Sequence, residues 1–326
     1  MSKDVLIFVE CKDAVPRKAS LELLSAGRQI AEKFSSVLFA VVMGSDMKNA
    51  AGIVSGYTDK TIVVDDGSLA EYGWDLMSSV LEGILTKYSP AIVLGTSSMT
   101  GKDLFPRLAA RFQAAMVSDA VGVDLEGDGL KIKKPLYGGK VISWVAPGPE
   151  AMLIATFRPN SFAVNEPGRN GEIIEEKMNV SKDPGITVVS STKAGSKKVD
   201  LQEADFIICG GRGMKAAENF SLLEDIADLM GGRVGASRTV VDSKWRDYDD
   251  QIGKSGKTVS PKLYIGCGVS GALHHIMGMD TSKVIVAINK DPNAPIFQYA
   301  DYGIVDDAFA VLPALKEELK KVREDS

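Results

Sequence analysis

The chain has 326 residues, of which 45% are hydrophobic and 25% charged, and its net charge is -5 at pH 7. This length is sufficient for two domains, and the composition is ordinary for a globular protein. No block of basic residues is present, so a nucleic-acid partner is not indicated. No apolar run approaches the ~20 residues that a membrane-spanning helix requires, which argues against membrane insertion.

The N-terminus reads M-S-K-D-V-L-I-F-V-E and enters an apolar segment almost directly. It resembles neither a signal peptide nor an Arg- and Ser-rich transit segment. We therefore expect a cytoplasmic protein of bacterial origin.

The first 120 residues alternate between short β-branched runs and longer amphipathic segments. The short runs are typical of buried strands, and the longer segments are typical of helices. Such an alternation predicts a parallel, doubly wound α/β sheet. The predicted strands are residues 5–9, 37–43, 61–64 and 91–94, and the predicted helices are residues 19–34, a short helix at Ala50 and Ala51, residues 69–88 and residues 104–112.

The pattern changes after residue 121, where short strands meet at Gly and Pro turns. We expect these strands to form an antiparallel extension of the same domain. Residues 165–195 are rich in Gly, Pro, Asn, Ser and Lys and are predicted to form a loop. We place the N-terminal domain at residues 1–190 and an interdomain linker at residues 191–204. The strands of the extension are predicted at residues 131–133, 140–145 and 151–156.

The C-terminal domain, residues 205–326, repeats the alternation and is predicted to be a Rossmann-like α/β domain. Gly231 and Gly232 supply the stop signal for its first helix. The predicted strands are residues 206–209, 263–265 and 284–288, and the predicted helices are residues 220–230 and a final helix that ends near residue 321.

A strand, a turn of small residues and a helix follow one another between residues 263 and 275. The backbone N–H groups and the positive end of a helix at such a turn suit a phosphate group. Ser270 and Gly271 lie at the turn, and the helix carries the only two histidines of the chain, His274 and His275. The pattern predicts a site for a nucleotide cofactor.

Three further segments give weaker signals. The G-G-R-G run at residues 210–213 is either a tight strand-to-helix turn or a dinucleotide-binding turn, and the guanidinium of Arg212 suits a phosphate. Residues 236–238 lie at a strand end. Residues 251–257, Q-I-G-K-S-G-K, lack the leading glycine and the preceding strand of a Walker A motif. We expect a glycine-hinged loop that offers the hydroxyl of Ser255.

The two histidines are adjacent, whereas a helical metal site usually places them four residues apart, so no metal site is predicted. We expect one histidine to be structural and the other to form a hydrogen bond with a cofactor carbonyl. No Ser-His-Asp set and no carboxylate pair is evident, so hydrolysis finds no support.

Taken in order, these segments resemble the alpha subunit of the electron transfer flavoproteins. The resemblance covers the C-terminal domain and continues weakly into the N-terminal domain, at residues 101–107 and 156–159. The segments that carry it are G-G-R-G (210–213), V-G-A-S-R (234–238), Q-I-G-K-S-G-K (251–257), L-Y-I-G-C-G-V-S-G-A-L-H-H (263–275), A-I-N-K-D-P-N-A-P-I-F (287–297) and A-D-Y-G-I-V-D-D (300–307).

The resemblance implies a heterodimer in which this chain binds FAD. The N-terminal domain would contact a beta subunit, which itself carries AMP or a second FAD. Electrons would pass from dehydrogenases of the acyl-CoA type to a downstream acceptor, such as a quinone oxidoreductase or a ferredoxin.

The resemblance also implies particular contacts with FAD. Arg238 would lie over the isoalloxazine. Ser255 would form a hydrogen bond with flavin N5, and His275 would contact the O2 side of the ring. Asn289 and Asp307 would face the adenosine end. The implied FAD-binding residues are Arg212, Ser237, Arg238, Gln251, Ile252, Gly253, Lys254, Ser255, Ser270, Gly271, Ala272, Leu273, His274, His275, Asn289 and Asp307.

The chain departs from the family at Lys254 and Ser255, where Gln-Thr is common. Serine keeps the hydroxyl, and lysine adds a cation near the flavin or its phosphates.

Three alternative functions stay open. The chain could belong to a complex that bifurcates electrons with NADH, or be an NAD-dependent oxidoreductase in which only His274 and His275 could act as acid or base. The third alternative is a non-redox nucleotide-binding regulator.

Overall fold

The chain divides into two compact units, residues 1–194 and 195–326. The computed structural model describes residues 3–127, 129–148, 151–177, 188–190 and 199–324. The predicted linker, 191–204, lies largely outside these residues. Its last part, Leu201–Glu203, forms a 3-10 turn in which Leu201 is buried in the core of the second unit.

Strands and helices are numbered in chain order. The strands are β1 Val5–Val9, β2 Cys11–Lys12, β3 Val15–Pro16, β4 Leu38–Gly44, β5 Lys60–Asp65, β6 Ile92–Thr96, β7 Ala115–Ala120, β8 Gly122–Asp124, β9 Lys131–Leu136, β10 Val141–Val145, β11 Leu153–Phe157, β12 Glu172–Glu175, β13 Phe206–Gly210, β14 Arg233–Ala236, β15 Leu263–Cys267, β16 Val284–Ile288 and β17 Tyr302–Ile304. The helices are α1 Lys18–Phe34, α2 Lys48–Ser55, α3 Trp74–Tyr88, α4 Met99–Phe112, α5 Ser221–Met230, α6 Arg238–Asp242, α7 Leu273–Ile276 and α8 Ala308–Glu324.

The first unit contains a parallel sheet with helices on both faces. Within the described residues its strand order is β12-β5-β4-β1-β6-β11-β7. Alternate residues of β1 point to opposite faces: Ile7 packs in one hydrophobic cluster with residues of α1 and α2, and Leu6 packs in another with residues of α3 and α4. Both faces of β1 are therefore covered, as the predicted doubly wound fold requires.

The prediction that residues 151–156 belong to the antiparallel extension is wrong. Strand β11 lies inside the main sheet and runs parallel to β6 and β7, with Leu153 opposite both Ile92 and Ala115. All five residues of β11 are buried, which is typical of an interior parallel strand. The antiparallel extension itself is confirmed and consists of β8, β9 and β10.

The prediction of a loop over residues 165–195 missed a strand. Strand β12 runs parallel to β5 at the edge of the main sheet, with Glu172 opposite Lys60. Three of its four residues are exposed, so its sequence, E-I-I-E, lacks the long apolar run of an interior strand. Its partner lies far away in the sequence, and local patterning could not reveal the pairing.

Two helices of the first unit begin about one turn or more away from their predicted starts. Helix α3 begins at Trp74 rather than at residue 69, because Gly73 is extended, with φ -128° and ψ 115°. Leu69 is buried in a separate 3-10 turn, Gly67–Leu69. Helix α4 begins at Met99 rather than at residue 104, because the Ser98 hydroxyl accepts a hydrogen bond from the Gly101 N–H and caps the helix.

The second unit contains a smaller parallel sheet with the order β14-β13-β15-β16-β17 among the residues described. Ile208 of β13 packs in a cluster with residues of α5 and α8, and Ile207 packs on the other face with Tyr264 and Ile276. The chain thus forms two α/β units, and the second has the open parallel sheet expected of a Rossmann-like domain. No described helix is long and apolar enough to cross a membrane.

Candidate functional site

A cleft of about 800 Å³ lies at the carboxyl ends of four strands in the second unit. Its walls include residues 211–213 after β13, 237–239 after β14, 268–270 after β15 and 289–291 after β16. Loops that follow parallel strands meet at one edge of a sheet, and this edge is where ligands bind in open α/β folds.

The turns after β13 and β15 touch through their backbones, and this contact shapes the floor of the cleft. The Gly213 N–H donates to the Gly268 carbonyl over 3.1 Å. Gly268 has φ +61°, and a Cβ atom there would lie 2.7 Å from the Gly213 Cα. A side chain at this position would be strained and would also push the two turns apart.

The walls of the cleft carry cationic side chains. Arg212, Arg238 and Lys290 all line it and are exposed. Arg238 is paired with Asp242, with 3.3 Å between Nε and Oδ2. Lys290 Nζ lies 3.1 Å from Asp307 Oδ2. The hydrogen bond from the Phe309 N–H and the one from Lys290 lower the pKa of Asp307 below its ordinary value, so this carboxylate is charged at neutral pH.

A tight loop presents Ser255 to the cleft. The amide Nε2 of the buried Gln251 donates to the Ser255 hydroxyl oxygen over 3.1 Å, and the Tyr248 hydroxyl donates to the Ser255 carbonyl over 2.7 Å. The Lys254 N–H donates to the His274 carbonyl, also over 2.7 Å, which ties this loop to α7. Because Gln251 supplies a proton to the Ser255 oxygen, the proton of the serine hydroxyl is left to donate elsewhere.

The two histidines of α7 have different surroundings. His274 is exposed, whereas His275 is buried, and both line the cleft. His275 Nε2 lies 2.7 Å from the Tyr264 hydroxyl oxygen. Burial lowers the pKa of His275 from 6.5 to about 4, so its ring is neutral at pH 7. The Nδ1 atom of His275 is buried and makes no hydrogen bond of good geometry within the described parts of the chain, although the Ile252 backbone lies close enough to raise the pKa of the ring against the larger effect of burial.

Asn289 holds the turn after β15 in place. Its Nδ2 donates to the Val269 carbonyl over 2.9 Å, and its Oδ1 accepts from the Asp291 N–H over 3.0 Å. Ser270 uses its carbonyl to accept from the Ile296 N–H, which leaves its exposed hydroxyl on the cleft wall.

The structure brings most of the residues predicted from the sequence into one cleft. Those that line it are Arg212, Ser237, Arg238, Ile252, Gly253, Ser255, Ser270, Ala272, His274, His275 and Asn289. Five others lie outside the lining: Gln251, Lys254, Gly271, Leu273 and Asp307. Gln251 and Asp307 each contact a residue that does line the cleft, namely Ser255 and Lys290.

The structure also adds residues that the sequence analysis did not select. Lys290 and Asp291 line the cleft directly beside the predicted Asn289. Their position immediately after a parallel strand is the signal that could have identified them. The other additions are Gly211, Gly213, Thr239, Gly268, Val269, Ala294 and Pro295.

The first unit has a smaller cleft of about 360 Å³, at the carboxyl ends of β1 and β4. The buried carboxylate of Glu10 occupies its polar side. This carboxylate accepts hydrogen bonds from the hydroxyls of Ser98 and Thr96 and lies 3.8 Å from Arg17. The polar groups at the end of β1 therefore already form hydrogen bonds and an ion pair with one another, whereas His275 Nδ1 makes no good hydrogen bond to a described residue.

The fold and the cleft of the second unit together define an α/β protein with a cleft suited to an anionic cofactor. Glycine turns close to a strand end and exposed cations meet at one edge of a parallel sheet. This combination is typical of dinucleotide-binding domains.

Comparison with known proteins identifies the family. The model of the electron transfer flavoprotein FAD-binding domain matches residues 200–280, and that of the electron transfer flavoprotein domain matches residues 5–181. The chain is 40% identical to the electron transfer flavoprotein subunit alpha of Bacillus subtilis, and the alignment covers 99% of each chain. The chain belongs to the electron transfer flavoprotein alpha-subunit family and has its FAD-binding domain.

Two further relatives agree with this assignment. The electron transfer flavoprotein subunit alpha of Thermoanaerobacterium thermosaccharolyticum is 36% identical, over 98% of this chain and 99% of the relative. Protein FixB of Clostridium saccharobutylicum is 37% identical, over 98% of this chain and 97% of the relative. The predicted family and the predicted cofactor, FAD, are confirmed.

Proposed function

We propose that this chain is the FAD-binding subunit of a heterodimer with an electron transfer flavoprotein beta subunit, and that it passes electrons from dehydrogenases of the acyl-CoA type to a downstream acceptor. The observation that carries the proposal is the cleft of the second unit, whose lining combines cations and hydroxyls with a neutral His275 that makes no good Nδ1 hydrogen bond to any described residue. A buried imidazole nitrogen without a partner costs free energy, and a ligand in the cleft can supply the missing hydrogen bond.

The proposal assigns the phosphate end of FAD to Arg212, Ser270 and Lys290. Two of these side chains are cations that suit a pyrophosphate, and Ser270 adds a hydroxyl on the same wall. Asp307 acts through Lys290, because its carboxylate accepts a hydrogen bond from the lysine ammonium. Asn289 supports the same wall through its bond to the Val269 carbonyl.

The proposal assigns the ring end of FAD to Arg238, Ser255 and His275. The bound isoalloxazine supplies the reversible uptake and release of electrons. Arg238 contributes a positive charge that favours negative charge on the ring, and Ser255 and His275 contribute hydrogen-bond donors without adding charge. These residues bind and orient the ring and set its electrostatic surroundings.

The same geometry weighs against an NAD-dependent oxidoreductase with its own substrate. Such an enzyme needs an acid or base whose pKa lies near the working pH. His275 is buried, its pKa is lowered to about 4, and its Nε2 is engaged with Tyr264. An electron carrier needs no such group.

The three cysteines, Cys11, Cys209 and Cys267, are free, which suits a reducing compartment and supports a cytoplasmic location.

Co-expression of this chain with a beta subunit tests the proposal. The purified heterodimer is expected to show the absorbance of an oxidised flavin, and the flavin should be reduced when an acyl-CoA dehydrogenase and its substrate are added. The number of flavins released per heterodimer on denaturation distinguishes a simple carrier, with one FAD, from a bifurcating complex, with two. A colourless heterodimer, or a bound flavin that no dehydrogenase reduces, would contradict the proposal.

A further inference from the structure

A buried tyrosine contacts His275 without reaching the cleft. Tyr264 belongs to β15, is fully buried, and is absent from the cleft lining. Its hydroxyl oxygen lies 2.7 Å from His275 Nε2, and the two rings are tilted by 56°. The imidazole therefore has one nitrogen engaged with the core, and the other, Nδ1, makes no hydrogen bond of good geometry on the described chain, with the backbone of the cleft residue Ile252 as its nearby polar group.

The tyrosine hydroxyl has one proton and two possible acceptors, namely His275 Nε2 and the sulfur of Cys209. Burial raises the pKa of Tyr264 well above 10, so the phenol keeps its proton at neutral pH. Burial also raises the pKa of Cys209 to about 12, so its sulfur is a neutral thiol and a weak acceptor. A neutral imidazole nitrogen is the stronger acceptor, and Tyr264 donates to it.

We propose that Tyr264 is a positioning residue that holds His275 in the tautomer with its proton on Nδ1, so that an uncharged histidine presents a donor to the cleft. A nitrogen that accepts the Tyr264 proton cannot carry a proton of its own in the neutral ring. The ring proton is then on Nδ1, the atom left without a partner. This role of Tyr264 adds detail to the function proposed above. It depends on that function only for the identity of the group that accepts the Nδ1–H hydrogen bond, which is an oxygen of the isoalloxazine.

NMR of the full chain tests the tautomer without any flavin. The chain has two histidines, so His274→Gln leaves His275 as the only one, and ¹⁵N-labelled histidine gives a single ring to observe. Long-range ¹H–¹⁵N spectra at neutral pH are expected to show Nδ1 protonated and Nε2 bare. The variant Tyr264→Phe in the same background should move the proton towards Nε2, the tautomer that a free histidine side chain prefers in water. A protonated Nε2 before the tyrosine is changed would overturn the inference.

A second variant keeps the test decisive if Tyr264→Phe fails to fold. Cys209→Ala removes the competing acceptor, the sulfur 4.0 Å from His275 Nε2. If Tyr264 donates to the imidazole, the Nδ1–H pattern is unchanged in Cys209→Ala. If the tyrosine instead donates to sulfur, the pattern changes, and the inference is wrong.

The heterodimer provides the functional readout. In Tyr264→Phe, the ratio of the affinity for reduced flavin to that for oxidised flavin should fall roughly tenfold, which is the value of one hydrogen bond to a charged group. A redox titration measures this ratio as a lower potential. A changed tautomer with an unchanged potential would disprove the link between Tyr264 and the cofactor, while leaving flavin binding itself intact.

Discussion

Adjacent histidines in α7 show how one residue step separates two environments. His274 is exposed, and its backbone carbonyl anchors the Lys254 loop, whereas the His275 ring is buried against Tyr264. The sequence predicted that one histidine would be structural and the other would meet a cofactor. In the structure His275 is the buried one, with Nε2 engaged by Tyr264, and both histidines line the cleft, so contact of a histidine with the cofactor stays a prediction.

Acid should destabilise the chain through His275. Its pKa is 6.5 when unperturbed and about 4 in the folded chain, so between these values the unfolded chain binds the extra proton. The free energy of unfolding therefore falls as the pH falls, by about 2 kcal/mol between about pH 7 and about pH 5. Urea unfolding of the wild-type chain and of His275→Gln at both pH values measures this contribution of His275 to the free energy of unfolding.

In His275→Gln the pH dependence is expected to be smaller by that amount, because glutamine does not titrate. The matched control is His274→Gln, which removes a histidine from an exposed position in the same helix. An equal pH dependence in the wild-type chain and in His275→Gln would show that the imidazole is not held neutral by burial.

At the scale of single elements, the turn after β15 depends on a glycine. An alanine at Gly268 would have φ +61° and a Cβ atom 2.7 Å from the Gly213 Cα. The left-handed backbone costs about 1–2 kcal/mol, and overpacking against the neighbouring turn adds about 1–3 kcal/mol. We expect Gly268→Ala to lower the free energy of unfolding by about 3 kcal/mol and to weaken FAD binding.

Gly231 is the matched control for this substitution. It ends α5 with φ +65°, but no atom lies within 4 Å of a Cβ built there. Gly231→Ala should therefore cost only the backbone term, about 1 kcal/mol, and leave FAD binding unchanged. Similar losses of stability for the two variants in urea unfolding would contradict the close approach of the two turns.

The elements predicted most accurately are those whose patterns are local. Strand β16 matches its predicted bounds, and α1 differs from its prediction by one residue, because apolar periodicity marks both. Strands β11 and β12 were harder to predict, since their place in the sheet depends on partners distant in the sequence. Burial of all five β11 residues is visible only once β6 and β7 flank it.

The candidate site was predictable where a polar residue directly follows a strand, as with Ser237 and Asn289. The motif positions did not show whether a side chain reaches the cleft or acts through a neighbour. Gln251 is buried and donates a hydrogen bond to the Ser255 hydroxyl oxygen, and Asp307 accepts one from Lys290. For Tyr264 the sequence predicts only a strand residue, because nothing in its apolar context indicates a hydrogen bond to a histidine on another element.

At the scale of the whole molecule, the cleft places cationic side chains in one part of an acidic chain. The net charge is -5, yet Arg212, Arg238 and Lys290 line the cleft. Arg238 and Lys290 are paired with Asp242 and Asp307, so Arg212 is the cation of the cleft that has no ion pair with a described residue and can attract an anionic ligand. The pyrophosphate of FAD is such an anion, so its binding should depend on salt.

We expect the dissociation constant of FAD from the heterodimer to rise with ionic strength, because salt screens the exposed cations of the cleft. Arg212 makes no ion pair with the other residues that the structure describes, so its charge is available to the ligand. Arg212→Gln should weaken FAD binding about tenfold and reduce the salt dependence. Lys321→Gln changes the net charge equally but lies on α8, outside the cleft lining, and should change neither the affinity for FAD nor its salt dependence.

Fluorescence titration of the apo-heterodimer with FAD at several salt concentrations measures both effects. Equal salt slopes for the two variants would show that the total charge of the chain, rather than the cations around the cleft, governs cofactor binding.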